Sequence, residues 1–340
     1  MILPTTYWAA LLLAVLSMIL WGSWANTFKS SAGKWRFELF YFDFAFGMVV
    51  AASLAAITLG QFGMELSFID NLVVTGKRQI GYAMLAGGVF NLANMLLLAA
   101  ISLSGMAVVF PIAVGLGLVI SVMFSLFLNP QGNPVFLFGG VALVALAMVF
   151  DALAFHTYSR AQAQLTGRKA RPSAKVVVVS LISGALMGLF HPLIELSQSG
   201  DIGLGPYAVA FAFSVGVFFS TFILNIYFMN LPVHGKAIEF AQYFKGTARQ
   251  HVSGVLGGVL WCAGFIASLL SASAPKAVQA APAAGIGLAQ GATVIGVLWG
   301  LFYWKEFQGA DGKVNTLVRM MLLFLIAGLT LISVAPMFHS

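Results

Sequence analysis

Ten windows of about 20 residues are built almost wholly of apolar side chains, and this limits the fold more than any other feature of the chain. They run roughly over 7–28, 39–59, 80–102, 106–128, 134–156, 175–197, 206–229, 253–273, 280–303 and 316–337. Lipid offers no partner to a bare peptide group, so a crossing segment must satisfy its own backbone as a helix; about 20 residues span the roughly 30 Å hydrocarbon core. Only 8% of the 340 residues are charged, against about 25% in soluble domains. The expected fold is an all-α integral membrane protein with ten transmembrane helices. The connections are too short for a soluble catalytic or nucleotide-binding module. The first window has no basic flank and outlasts the roughly 7–15 apolar residues of a signal peptide, so it counts as a span.

A net charge of +7 would suggest nucleic acid in a soluble protein, but in a membrane protein the placing of Lys and Arg matters more than their sum. Connections 1–2, 5–6, 7–8 and 9–10 hold fourteen of them: Lys29, Lys34, Arg36, Arg160, Arg168, Lys169, Arg171, Lys175, Lys236, Lys245, Arg249, Lys305, Lys313 and Arg319. The other side holds only Lys77, Arg78 and Lys276. The positive-inside rule then places both termini outside the cytoplasm of a multi-pass cell (inner) membrane protein. The one cysteine, Cys262, lies mid-span, which excludes an internal disulfide and a multi-cysteine metal site.

The chain repeats itself. Residues 86–95 read AGGVFNLANM and 256–265 read LGGVLWCAGF, an offset of half the chain; FDFAFG at 42–47 aligns with VAFAFS at 209–214, and Trp24-Ala25 with His191-Pro192. Five spans per half is an odd number, so the second copy enters from the opposite face. This predicts two inverted five-helix repeats, 1–156 and 175–340, joined by a basic connector at 157–174. In transporters built this way, substrate binds near the midplane where the repeats meet.

WGSWANTFK at 21–29 followed by WRFELFYFDFAFG at 35–47 resembles the drug/metabolite transporter superfamily. The nearest likeness is to its glucose/ribose porter, rhamnose-proton symporter and plant ureide permease branch, carried by GGVFNLAN at 87–94, LSGMAVVFPIAVGLGLVISVMFSLFLNP at 103–130 and a segment at 284–306 ending LWGLFYWKE. The resemblance implies ten helices and transport. Two departures weigh against a ureide substrate. The long central loop of ureide permeases shrinks to about 157–174 and has no GxxxxGK, and Trp24-Ala25 stands where they tend to carry Trp-Pro.

Counting 1.5 Å per residue from the span ends puts Asn91, Asn94, Trp261, Gln290 and Thr293 near the midplane. Amides there either bind a neutral polar solute or hydrogen-bond between helices. With Trp21, Trp24 and Asn26 they form the expected substrate site. Trp21 and Trp24, three apart, share a helix face; either they anchor at the headgroup level or they gate the cavity, Trp24 on one side and His191 with Pro192 on the other. Charges within spans are expensive and need a partner or water. Asp43 and Glu195 are the expected proton-coupling carboxylates, since a partly buried carboxyl can take up a proton on one face and release it on the other. Asp151 is expected to pair with Arg319 or a lysine near the membrane edge.

No catalytic elbow, metal-ligand cluster or dinucleotide fingerprint is present in the sequence, so the chain is not expected to be an enzyme or to hold a cofactor. The sequence reading is a secondary transporter that takes up a small neutral polar solute such as a sugar, driven by a proton or other cation gradient. A ureide or nucleobase permease and a drug or metabolite exporter are the alternatives. Its partners are the solute and the lipid bilayer, not nucleic acid, and a homodimer through the fifth and tenth spans is left open.

Overall fold

The computed structural model describes residues 1–31, 35–63, 66–128, 133–167, 173–200, 202–233, 235–275 and 291–335. Among them, nine helices are long and apolar enough to cross a bilayer: α1 (Tyr7–Ser31), α2 (Phe37–Ile57), α4 (Lys77–Ser104), α5 (Met106–Phe124), α6 (Pro134–Thr166), α7 (Ala174–Gln198), α8 (Pro206–Asn230), α9 (Ala248–Ala272) and α11 (Gly312–Val334). The short α3 (Phe68–Val74) precedes α4, and the shorter apolar α10 (Ala292–Tyr303) precedes α11. The first part of the ninth predicted window, Gln290 included, lies outside the described residues; α10 is the remainder. The window at 134–156 proves ten residues too short. Its helix continues through a polar stretch that a hydropathy window ends at.

Local chemistry marks the starts. The Thr6 hydroxyl accepts from the Ala9 amide, Asn133 accepts from Val135 ahead of Pro134, and Asp311 accepts from Val314. Thr247 and Gln250 cap α9 reciprocally. Between α4 and α5 there is no loop, only Gly105 at φ +115°, a conformation that only glycine adopts without strain. Pro111, which has no amide hydrogen to donate, sits in a π-helical turn at Phe110–Val114, and a second such turn spans Trp299–Tyr303.

Lipid tails are as apolar as leucine, so these helices are held by close packing rather than by burial from water. α4 lies along α7 and α8, while α9 lies along α1 and α2. α5 packs on α7, α10 on α1, α2 on α8, and α6 along α11. The repeated glycines make the tightest of these contacts. A Cβ at Gly87 would sit 2.1 Å from the Phe213 carbonyl oxygen, and one at Gly258 would sit 2.0 Å from that of Phe44. On α10, a Cβ at Gly296 would strike the Phe110 ring at 2.2 Å.

Candidate functional site

A cavity of about 70 Å³ lies among α1, α4, α5, α7, α9 and α10. Its walls include Trp21, Trp24, Phe90, Phe110, Phe190 and Trp261, with Asn94 and His191 as the polar side chains besides the indoles. The rings support one another. Trp261 stacks on Trp21 at 5.6 Å and meets Phe90 at 4.1 Å between centroids, and the Trp21 indole N–H donates to the Trp261 carbonyl at 3.1 Å. Phe213 lies nearly parallel to Trp261, at 9°, behind it. Such contacts fix ring orientation beyond what apolar packing alone would do.

Trp24 is 2% exposed and packs on Phe44, so it is not a headgroup anchor. Its aligned counterpart, His191, lines the same cavity from α7 and stacks on Phe190. Pro192 follows inside α7, and Glu195 is exposed one turn further on.

The two midplane asparagines differ. Asn94 donates to the Tyr41 hydroxyl at 3.2 Å, and its carbonyl oxygen has no partner among the described residues. Asn91, three residues earlier on α4, turns toward α8, where its amide nitrogen meets the Val217 carbonyl and the Ser220 and Thr221 hydroxyls. Asn91 joins helices and does not line the cavity. Thr293 is buried but is also not a wall residue. Asn26 sits beyond the cavity, where its carbonyl oxygen accepts the Trp304 indole N–H at 2.7 Å; one turn back, Ser23 accepts that of Trp299 at 2.9 Å. The polar residues of the WGSWAN stretch thus hold α10 against α1.

The charged residues pair otherwise than expected. Asp43 accepts from the Tyr243 hydroxyl at 2.6 Å and lies 2.9 Å from the His251 ring. Burial, reinforced by the bond to Asp43, pushes the Tyr243 hydroxyl above its ordinary range. Glu38 pairs with Arg36, which also donates to the Lys236 carbonyl. Asp151 is fully buried, and neither carboxyl oxygen has a hydrogen-bond partner among the described residues. Its expected pairing at the membrane edge is not what the fold provides.

One cluster escaped the sequence reading. Lys29 forms an ion pair with Glu306 and lies 4.6 Å over the Trp304 ring. The Glu306 carboxylate also accepts the backbone N–H groups of Met106 at 2.8 Å and Ala107 at 2.6 Å, the first amides of α5. A Cβ at Gly105 would lie 2.4 Å from that carboxyl carbon, so the glycine makes room for it. The signal available was modest: Glu306 is one of only ten acidic residues in the chain and closes the LWGLFYWKE segment.

No family model matches the chain. It is similar to two proteins of Arabidopsis thaliana: Ureide permease 1, 24% identical with 94% of each chain covered, and Ureide permease 2, 22% identical with 95% of each covered. A solved crystal structure 15% identical superposes with a TM-score of 0.56 over 95% of both chains, a likeness of fold alone. With nine apolar helices among the described residues and permeases as full-length relatives, the chain is a multi-pass membrane transporter and not an enzyme.

Proposed function

We propose that this chain moves a small, uncharged, planar solute bearing amide groups, a ureide or a nucleobase, by alternating access through the aromatic cavity. The carrying observation is Asn94, which lines a cavity of stacked rings and whose buried carbonyl oxygen has no partner among the described residues. A planar amide could lie against Trp21, Trp24 or Trp261 and donate an N–H to that oxygen. A sugar would bring many hydroxyls to walls that offer, besides the indoles, one amide and one imidazole. Desolvating those hydroxyls without partners opposes binding. The names of the two plant relatives support the same reading and outweigh the two sequence departures from it.

In this proposal the chain is two inverted five-helix repeats, 1–156 and 175–340. Helix packing supports it: exchanging each of the first five spans with its counterpart in the second five maps the α4 contacts with α7 and α8 onto those of α9 with α1 and α2. Positive-inside placing puts Lys29 and Glu306 at the cytoplasmic face and both termini outside. Binding residues are Trp21, Trp24, Asn94 and Trp261, with His191 on the outer side and Trp24 on the inner.

Counterflow in proteoliposomes tests this. Labelled uracil or allantoin is expected to exchange, labelled glucose is not, and Asn94→Leu should weaken exchange about tenfold, the loss of one hydrogen bond in a dry site. Exchange of glucose but of neither planar probe would sink the proposal.

A further inference from the structure

We propose that Asp151 is the proton-binding group of the transport cycle, and that its proton permits the Lys29–Glu306 latch to close. This rests on the transporter reading above but not on any particular substrate. Three observations carry it. Asp151 is fully buried and makes no hydrogen bond among the described residues, the only carboxyl so placed. The helix that carries Asp151 also meets the segment that carries Glu306: Tyr158 packs on Phe307 at 5.2 Å between centroids, and its hydroxyl donates to the Gln308 carbonyl at 2.9 Å. Glu306 is already committed to Lys29 and to the first amides of α5, so the Lys29 ammonium is engaged by Glu306 and not by Asp151.

Among the described residues, the helices packed against α6 place no hydrogen-bonding cation on the Asp151 carboxyl. α5 has no titratable side chain, and on α11 Lys313 and Arg319 are both exposed and form no ion pair among the described residues. On α7, Lys175 donates to the Val233 carbonyl, and neither His191 nor Glu195 bonds to Asp151. On α6 itself, His156 and Arg160 follow toward the helix end and make no hydrogen bond to the carboxyl. A buried anion with no donor among the described residues is not sustained in such a place.

The consequence is a cycle. With the latch closed, Asp151 holds a proton. When α10 and the start of α5 part from α1, water reaches the carboxyl, its O–H bond breaks, the electron pair stays on oxygen and the proton leaves to water on the Lys29 side. The anion then opposes closure until it is protonated again. Mutual repulsion with Glu306 ties the two events together.

The experiment reads the latch directly. In a Cys262→Ala background, a Val114→Cys reporter in the cavity wall is labelled with a membrane-impermeant maleimide from the face bearing Lys29. With Asp151 intact, labelling, corrected for thiol ionisation against a denatured control, is expected to rise about tenfold from mildly acidic to mildly alkaline pH, a one-proton opening. Asp151→Asn should stay low and flat, and Asp151→Glu should restore the rise. Glu306→Gln should label fast at every pH. An unaltered rise in Asp151→Asn, or no rise with Asp151 present, overturns the proposal. Should Asp151→Asn fail to assemble, Asp151→Glu decides: a displaced midpoint supports the proposal and an unmoved one overturns it. In a second arm, Asp151→Asn proteoliposomes should keep uracil counterflow yet lose accumulation driven by an inward proton gradient. Absence of uracil and allantoin counterflow in every variant would count against the substrate reading alone, since the labelling arm needs no substrate.

Discussion

The middle of the bundle and its Lys29 end hold themselves together in opposite ways. Around the cavity, rings lie on rings, and a single amide side chain, Asn94, lines the space, its carbonyl oxygen without a partner among the described residues. At the Lys29 end, three elements converge on one carboxylate: Glu306 binds Lys29 of α1 and two amides of α5, and Trp304 of the α10 end lies under the ammonium. The first region is soft and adaptable, as a binding chamber must be. The second is discrete, made or broken as a unit, as a gate must be. In a protein that has to open at one end without dismantling its centre, that division of chemistry is the useful one.

The largest expected effect is at the latch. Glu306→Ala strands a mostly buried ammonium and two helix-start amides, and should lower stability in detergent by about 3 kcal/mol while abolishing gradient-driven uptake. Thermal unfolding and transport on one preparation would check both, and a variant as stable as the parent would remove the latch from the account. Next comes Trp261→Ala, which empties the centre of the ring stack; about 3 kcal/mol of stability and more than tenfold in uracil affinity should be lost. Gly105→Ala should cost about 1–2 kcal/mol, from positive φ and from the collision with Glu306, and should leave uracil affinity unchanged in binding calorimetry. The smallest effect separates the two asparagines. Asn91→Leu should lower stability by about 1 kcal/mol and spare affinity, the reverse of Asn94→Leu; equal affinity losses at both sites would erase the distinction between helix joint and ligand group.

Much of the architecture was readable in the order of residues. Apolar windows locate helices because a bilayer leaves the backbone no other choice, and nine of the windows coincide with described spanning helices and the ninth window in chain order with α10 over its described part. Two of the cavity aromatics, Trp21 and Trp24, stood out by spacing, and Trp261 and Asn94 by depth. Depth could not tell Asn94 from Asn91, which are both fully buried and differ only in which neighbour they meet. Nor could it find partners: Lys29 and Glu306 are 277 residues apart, and Asp43 and His251 are 208 apart.

What the sequence determined by itself was where the apolar segments lie and the recurrence of small residues half a chain apart, because solvent selects these one segment at a time. What only the tertiary structure decided was direction: which face of α4 sees the cavity, which carboxylate finds a cation and which, like Asp151, finds none among the described residues. Those outcomes depend on contacts a few ångströms long between elements far apart in the chain, and a local pattern carries no record of them.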